Sequence, residues 1–137
     1  MAVFVADASV ALAWCFEDEA TSWSDMLLDR LRSGDSIAVP AHWASEVLNA
    51  LLVAARRNRI QPADPVLLFD RLSRLPIESD LPLASPQATS ALELAQKHRL
   101  TIYDAAYLEL AHRRILPIAT LDSDLRTAAE LERVDLL

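Results

Sequence analysis

The sequence predicts an α/β domain: a central parallel sheet of four to five strands with helices on both faces. Three observations predict it. Short, almost wholly apolar segments alternate with longer segments of helical period, the signature of repeated strand–helix units. At 137 residues the chain has the size of one domain, residues 1–137, with a core of its own. Hydrophobic residues make up 53% of it, which argues against disorder as the main state.

The elements follow in order. "VFVA" (3–6) is a short apolar strand that ends at Asp7, and "ASVALAWCF" (8–16) is a helix. "EATSWSDMLLDRLRSG" (19–34) is a second helix, closed by Gly34 in "RSGDS", a good helix-ending turn. "SIAVP" (36–40) is a strand stopped by Pro40. "AHWASEVLNALLVAARRNR" (41–59) is a long amphipathic helix, and "PADPVLLFDRLSRL" (62–75) is another. "PIES" (76–79) is a weak strand. "SPQATSALELAQKH" (85–98) opens as a helix entered through Ser-Pro. "LTIYDAAYLELA" (100–111) is a helix whose apolar stripe is Tyr103, Ala106, Tyr107, Leu110 and Ala111. "LPIAT" (116–120) is a strand, "DSDLRTAAELE" (122–132) a helix, and "VDLL" (134–137) an edge strand.

Composition removes many chemistries. One cysteine, Cys15, excludes an internal disulfide and a Cys-rich zinc site, and fits a reducing, cytoplasmic setting. The start, "MAVFVADASV", has no charged leader region, and Asp7 interrupts its apolar run, so it reads poorly as a signal peptide. No apolar run approaches the length of a membrane span. With Gly34 the only glycine, there is no phosphate-binding glycine loop and no dinucleotide fingerprint. His42, His98 and His112 lack metalloprotease spacing, and no nucleophile elbow is present. Acids remain: 20 against 13 Lys and Arg, a formal net charge of −7. That charge argues against a simple nucleic-acid binder, whose phosphate contacts need cations.

Sites in parallel sheets lie at the carboxyl ends of strands, near the switch in strand order. Asp7 ends the first strand, and Asp122 follows "PIAT" after one intervening residue. Glu46 lies early in the helix after "SIAVP", and Asp104 in the first turn of its own helix. Four acids from four segments thus meet on one rim. Each also has a plainer explanation. Asp7 and Asp122 suit helix N-caps, typically worth ~1 kcal/mol against alanine. Asp104 suits the positive end of a helix dipole, worth roughly 0.3–1 kcal/mol. Glu46 suits a solvated helix face. Together they raise a cost: like charges about 4 Å apart repel by ~4 kcal/mol per pair at an effective dielectric near 20. Protons or a cation must offset that, and oxygen-only ligation suits Mg²⁺ or Mn²⁺. Such sites support phosphoryl chemistry.

At this point the motifs resemble those of PIN-domain ribonucleases, and among them the VapC toxins of prokaryotic toxin–antitoxin pairs. The resemblance runs along essentially the whole chain. "VADASV" carries Asp7 as the first family acid; "SEVLNAL" carries Glu46 as the second, with Asn49 as a common companion. "IYDAAYLELA" carries Asp104, and "ATLDSDLRTAA" carries Asp122, two residues after Thr120. Asp124 is a second acid nearby; Asp122 is preferred because it follows the strand directly. The resemblance implies a PIN-like three-layer α/β/α fold, Mg²⁺- or Mn²⁺-dependent RNA cleavage and a homodimer. It also implies a small antitoxin that wraps the toxin and blocks its acids. On this reading Asp7 and Asp104 are the main direct metal ligands. Glu46 and Asp122 bind directly, hold metal waters or position the attacking water. Asn49 orients Glu46, and Ser9 and Thr120 either support the site or make turn hydrogen bonds.

A polyanionic substrate needs local cations, and Arg56, Arg57 and Arg59 form the densest basic group. They equally suit a helix C-terminus. Trp43, Val47, Leu48, Leu51, Leu52 and Val53, with Val66, Leu67, Leu68, Phe69 and Leu72, are too many for one stripe against a sheet. They suit a broad core with a homodimer contact, or a groove for an amphipathic antitoxin helix. An Arg from such a partner could fork onto the carboxylates. Other classes fit less well. A haloacid-type phosphatase wants an acid where Ser9 stands, and a phospho-accepting receiver wants an Asp and a Lys that "PIES" and "LPIAT" lack. A catalytically dead binding module, and a nuclease of this fold outside any toxin–antitoxin pair, stay open.

Overall fold

The structure, a computed structural model, describes residues 1–137. Four strands form one parallel sheet: β1 (Val3–Ala6), β2 (Ser36–Val39), β3 (Ile77–Ser79) and β4 (Ile118–Ala119), in the order β3-β2-β1-β4. β1 is central. Val5 pairs with Ala38 of β2 on one side and with Ile118 of β4 on the other. Being covered on both sides, the inner strands need no polar alternation, so Phe4, Val5, Ala6, Ile37, Ala38 and Val39 are all buried. The expected last edge strand is only a single parallel bridge between Leu136 and Ile118.

Seven helices flank the sheet: α1 (Ala8–Cys15), α2 (Ser22–Arg32), α3 (Trp43–Arg56), α4 (Asp64–Ser73), α5 (Gln87–His98), α6 (Ile102–Arg114) and α7 (Ser123–Leu131). The acidic stretch Glu17–Glu19, next to the predicted second helix, is a separate 3-10 turn. α2 begins where Thr21 and Ser24 bond each other's backbone N–H, a capping box that stops the helix extending back toward Glu19. α1 packs against α2 and α3, and α3 against α4; α6 packs against β1, β2, α5 and α7. The result is the three-layer α/β/α arrangement expected, with the chain order reversing beside β1.

Two helices differ from their expected faces. On α6 every residue from Ala105 to Ala111 is buried, Glu109 included, so it is a helix covered all round rather than one with a stripe. Tyr103, placed in that stripe, is 58% exposed. Buried Glu109 is matched by Arg113, one turn on at 2.9 Å, which also reaches Asp80 in the loop after β3. A buried carboxylate without such a partner would be strongly destabilising. On α3 the buried positions are Trp43, Val47, Leu51 and Ala54, while Leu48 and Leu52 point outward.

Scarce glycine shapes the helix ends. Gly34 closes α2 at φ +115°. Elsewhere Asn58, Arg99, Ile115 and Arg133 take left-handed backbone at φ 54–59°. For an L-residue that conformation costs ~1–2 kcal/mol, and a β-branched side chain tolerates it worst. Ile115 is also 91% exposed, so its side chain recovers almost nothing through burial. Ile115→Gly should therefore raise the unfolding free energy by about 1 kcal/mol. Urea denaturation followed by circular dichroism measures this, and a lowered midpoint at equal slope would contradict the strain.

A carboxylate rim as candidate active site

β1 and β4 are neighbours that lie on opposite sides of the reversal in strand order, and Asp7 and Thr120 directly follow them. Asp7 occupies the N-cap position of α1, but its side chain makes no regular cap hydrogen bond. Its carboxylate instead accepts two hydroxyls, Ser9 on Oδ1 and Thr120 on Oδ2, each at 2.5 Å. Both hydroxyls accept backbone N–H groups in turn, Leu121 to Ser9 and Asp122 to Thr120, each at 3.0 Å. The capping explanation of Asp7 thus gives way to a lattice that ties the end of β1 to the loop after β4. Asp7 is 5% exposed. Burial pushes its carboxyl up to about 6 despite the hydroxyls and the Val10 N–H, and the Asp104 charge pushes the same way.

Asp122 does what its plainer explanation says. It N-caps α7, with Oδ1 accepting the N–H groups of Asp124 and Leu125 at 2.9 and 3.0 Å. Its Oδ2 receives no protein hydrogen bond. Asp104 is not the cap of α6, because Thr101 accepts the Asp104 N–H at 3.1 Å. The Asp104 carboxylate makes no ion pair and accepts no conventional bond from another side chain. Burial raises its pKa, and the charges of Asp122 and Glu46 raise it further. Asp104 therefore lies within the field of both Asp122 and Glu46.

Glu46, in the first turn of α3, is held on one oxygen. Tyr107 donates its hydroxyl to Oε1 at 2.7 Å, and His42 Nε2 lies 3.1 Å from the same atom. The His42 contact lacks hydrogen-bond alignment, so it acts as a charge contact when the ring is protonated. Burial opposes ionisation of Glu46, but His42 and Tyr107 outweigh it and hold the carboxyl below its usual range. Tyr107 is fully buried, and burial and Glu46 together keep its hydroxyl protonated. His42 packs edge-on to Tyr103 and Tyr107, with centroids 5.5 and 5.4 Å away.

Tyr107 and His42 were not singled out by sequence. Their signals were spacings: Tyr107 is one turn after Asp104, and His42 one turn before Glu46. Asn49, expected to orient Glu46, is exposed and makes no side-chain hydrogen bond; Tyr107 takes that place. Ser9 and Thr120, expected either to support the site or to make turn hydrogen bonds, both donate their hydroxyls to Asp7. Asp124 is exposed, and its part here is the backbone N–H given to Asp122.

The basic group lies elsewhere. α3 starts at the rim and runs away from it, so Arg56, ten residues after Glu46, is ~15 Å further along the axis. Arg56 and Arg57 are exposed there. Arg59 is spent on Asp18 at 2.8 Å and Glu19 at 2.6 Å, and its guanidinium covers the Phe16 ring at 4.0 Å.

The donor set suits a hard divalent cation: oxygen ligands only, several with unbonded lone pairs, and charges that repel when nothing sits between them. No three of these groups close on one point in the structure.

The raised pKa of Asp7 has a consequence for stability. Between about pH 4 and its folded value near 6, the native chain binds a proton that the unfolded chain releases, so stability falls as pH rises through that window. Asp7→Asn removes this loss. In EDTA the variant's melting temperature should rise relative to wild type from pH 4 to pH 7, by an amount equivalent to at most roughly 3 kcal/mol. A gap that stays constant with pH would show that Asp7 ionises normally.

Comparisons with known proteins bear on the fold and the family. A search of curated proteins found no significant sequence match. Among solved structures, PAE2754 from Pyrobaculum aerophilum is 27% identical, with a TM-score of 0.69 over 93% of this chain and 87% of that one. VapBC2 from Rickettsia felis, solved bound to a DNA fragment from its promoter, is 11% identical, with a TM-score of 0.68 over 98% and 97%. The Mycobacterium tuberculosis toxin VapC20, described as cleaving the sarcin-ricin loop, is 13% identical, with a TM-score of 0.64 over 93% and 95%. The two low-identity likenesses speak for the fold. The family model of the PIN domain matches residues 4–131, nearly the whole sheet with all seven helices and all four rim carboxylates, and the chain belongs to that family.

Proposed function

We propose that this protein is a Mg²⁺- or Mn²⁺-dependent endoribonuclease that hydrolyses RNA phosphodiester bonds as the toxin of a toxin–antitoxin pair in the cytoplasm. One observation carries the reading: Asp7, Glu46, Asp104 and Asp122, drawn from four segments, share one rim where burial and mutual charge raise the pKa of Asp7 and Asp104. A fold does not gather like charges there without a counter-charge. The likeness to VapC20, an RNA-cleaving toxin, supports RNA as the substrate.

Asp104, whose carboxylate makes no ion pair, and Asp7, whose carboxylate accepts the Ser9 and Thr120 hydroxyls and still has acceptor capacity left, are the direct ligands. When bound, the divalent ion stabilises charge on the phosphate and lowers the pKa of its water. Glu46 keeps Oε2 free while Tyr107 fixes Oε1, so it stays ionised and can accept a hydrogen bond that positions the attacking water. Asp122 keeps Oδ2 for a bound water while Oδ1 holds the start of α7. Ser9 and Thr120 hold Asp7 in place.

Mn²⁺ should raise the melting temperature, by the equivalent of about 2.7 kcal/mol at a hundredfold excess over its dissociation constant. Asp104→Asn should abolish that rise, lower RNA cleavage by orders of magnitude and leave the apo fold intact. Identical melting with EDTA and with Mn²⁺ would favour a catalytically dead binding module.

The partner reading rests on the surface of α3 and α4. Leu48, Leu52, Val66 and Leu67 are 41–76% exposed on two helices that pack together. Such a patch fits an amphipathic antitoxin helix or a second copy in a homodimer. Co-expression with the neighbouring small reading frame should yield a complex that Leu48→Glu with Leu52→Glu disrupts, without loss of Mn²⁺ stabilisation. A chain that always purifies alone and never slows growth would leave a nuclease outside any toxin–antitoxin pair.

A further inference from the structure

The nuclease reading leaves a problem of charge. RNA must approach a rim of carboxylates on a chain of net charge −7. Seven of the thirteen Lys and Arg side chains are already committed to acids. Arg113 pairs with Glu109 and Asp80, Arg114 with Glu78, and Arg59 with Asp18 and Glu19.

Arg126 differs. It lies on α7 one turn after Asp122, and it makes no ion pair. Its guanidinium donates from one terminal nitrogen to the Thr120 carbonyl at 3.1 Å. Thr120 is the same residue whose hydroxyl bonds Asp7, so the cation is held at a set distance from the carboxylates. A guanidinium has five N–H donors in a planar fork, and the protein uses one. Beside it is a shallow depression of about 340 Å³ lined by Thr21, Trp23, Leu121 and Arg126. Leu121, the residue between Thr120 and Asp122, is 46% exposed. A cation, an indole and an aliphatic surface therefore adjoin the rim on its α7 side.

We infer that Arg126, with Trp23 and Leu121, forms a nucleotide subsite next to the carboxylate rim. Arg126 binds an RNA phosphate adjacent to the one that is cleaved, and the neighbouring base lies against Trp23 and Leu121. The chemistry fits a single strand. Its phosphates are accessible to a fork of donors, and its unstacked bases seek an aromatic or apolar surface. A free Arg also explains how an acidic chain holds a polyanion: one unpaired cation beside the site acts where net charge does not.

This inference rests on the nuclease reading, so its test separates the two. In an Asp104→Asn background without added metal, affinity for a short single-stranded RNA is measured by fluorescence anisotropy over a range of KCl. Arg126→Gln should weaken binding about tenfold. It should also flatten the slope of log affinity against log salt by ~0.7, the loss of one phosphate contact. Arg126→Lys should retain the slope. Arg56→Gln removes the same charge at the far end of α3 and should change neither. In the otherwise wild-type chain, Arg126→Gln should keep its Mn²⁺-induced rise in melting temperature and raise KM more than it lowers kcat. Equal behaviour of Arg126→Gln and Arg56→Gln overturns the subsite even if the wild-type chain cleaves RNA, and so does absence of RNA binding by the parent. An Arg126-dependent salt slope in a chain that never cleaves RNA upholds the subsite and removes the nuclease reading.

Discussion

The rest of the site depends on how one buried carboxylate is accommodated. Asp7 ends the central strand, directly after buried Phe4, Val5 and Ala6, and is itself 5% exposed, so water solvates its charge poorly. Two hydroxyls and a backbone N–H replace that solvation in part, and the hydroxyls are themselves fixed by N–H groups from the loop after β4. Every bond in this lattice joins the first segment of the chain to a segment more than a hundred residues later, or fixes a group that does. The compensation is incomplete, which is why the pKa stays high. An incompletely satisfied acid at the reversal of strand order is a poor way to stabilise a fold and a good way to attract a cation.

The other three acids are managed differently, and the differences assign their duties. Asp122 divides its oxygens between a helix cap and the rim. Glu46 divides its oxygens between a Tyr107 hydroxyl and the rim. Asp104 divides nothing, because Thr101 relieves it of capping. The helix starts favour all three, since α3, α6 and α7 each present a positive dipole end near the rim. Helix N-termini offset part of the cost of gathering acids, but each supplies only about half a charge. The remainder is what a divalent ion would neutralise.

Cations are distributed by the same local rule. Seven of the thirteen Lys and Arg side chains pair with an acid, some of them across to another segment, as Arg59 does to Glu17–Glu19 and Arg113 to Asp80. Such cross-segment pairs pin loops to helices at the surface. The basic cluster read in sequence is no guide to the cations at the rim: Arg56 and Arg57 are exposed, but at the far end of α3, and Arg59 is paired. Arg126 escapes pairing because its neighbour is a carbonyl rather than a carboxylate.

The strands and helices, the parallel sheet, the four acids and the oxygen-only donor set were legible in the residues themselves. Strand and helix carry distinct periods, and strand ends mark the edge where sites form. Local capping chemistry was legible as well, at Asp122 and Gly34. What the tertiary structure alone decided is how each acid is held. Asp7 and Asp122 look alike in sequence, each just before a helix; only the approach of β4 to β1 turns one into a buried, hydroxyl-bound group and leaves the other a cap. Tyr107 and Tyr103 share a predicted stripe, yet packing of α6 between the sheet, α5 and α7 buries the first onto Glu46 and exposes the second. Asn49, Arg56, Arg57 and Arg59 were read from nearness in sequence, and the straight run of α3 carries Arg56, Arg57 and Arg59 away from the rim. Periodicity is a property of neighbours along the chain, whereas partners in burial and charge come from segments that meet only once the sheet has formed.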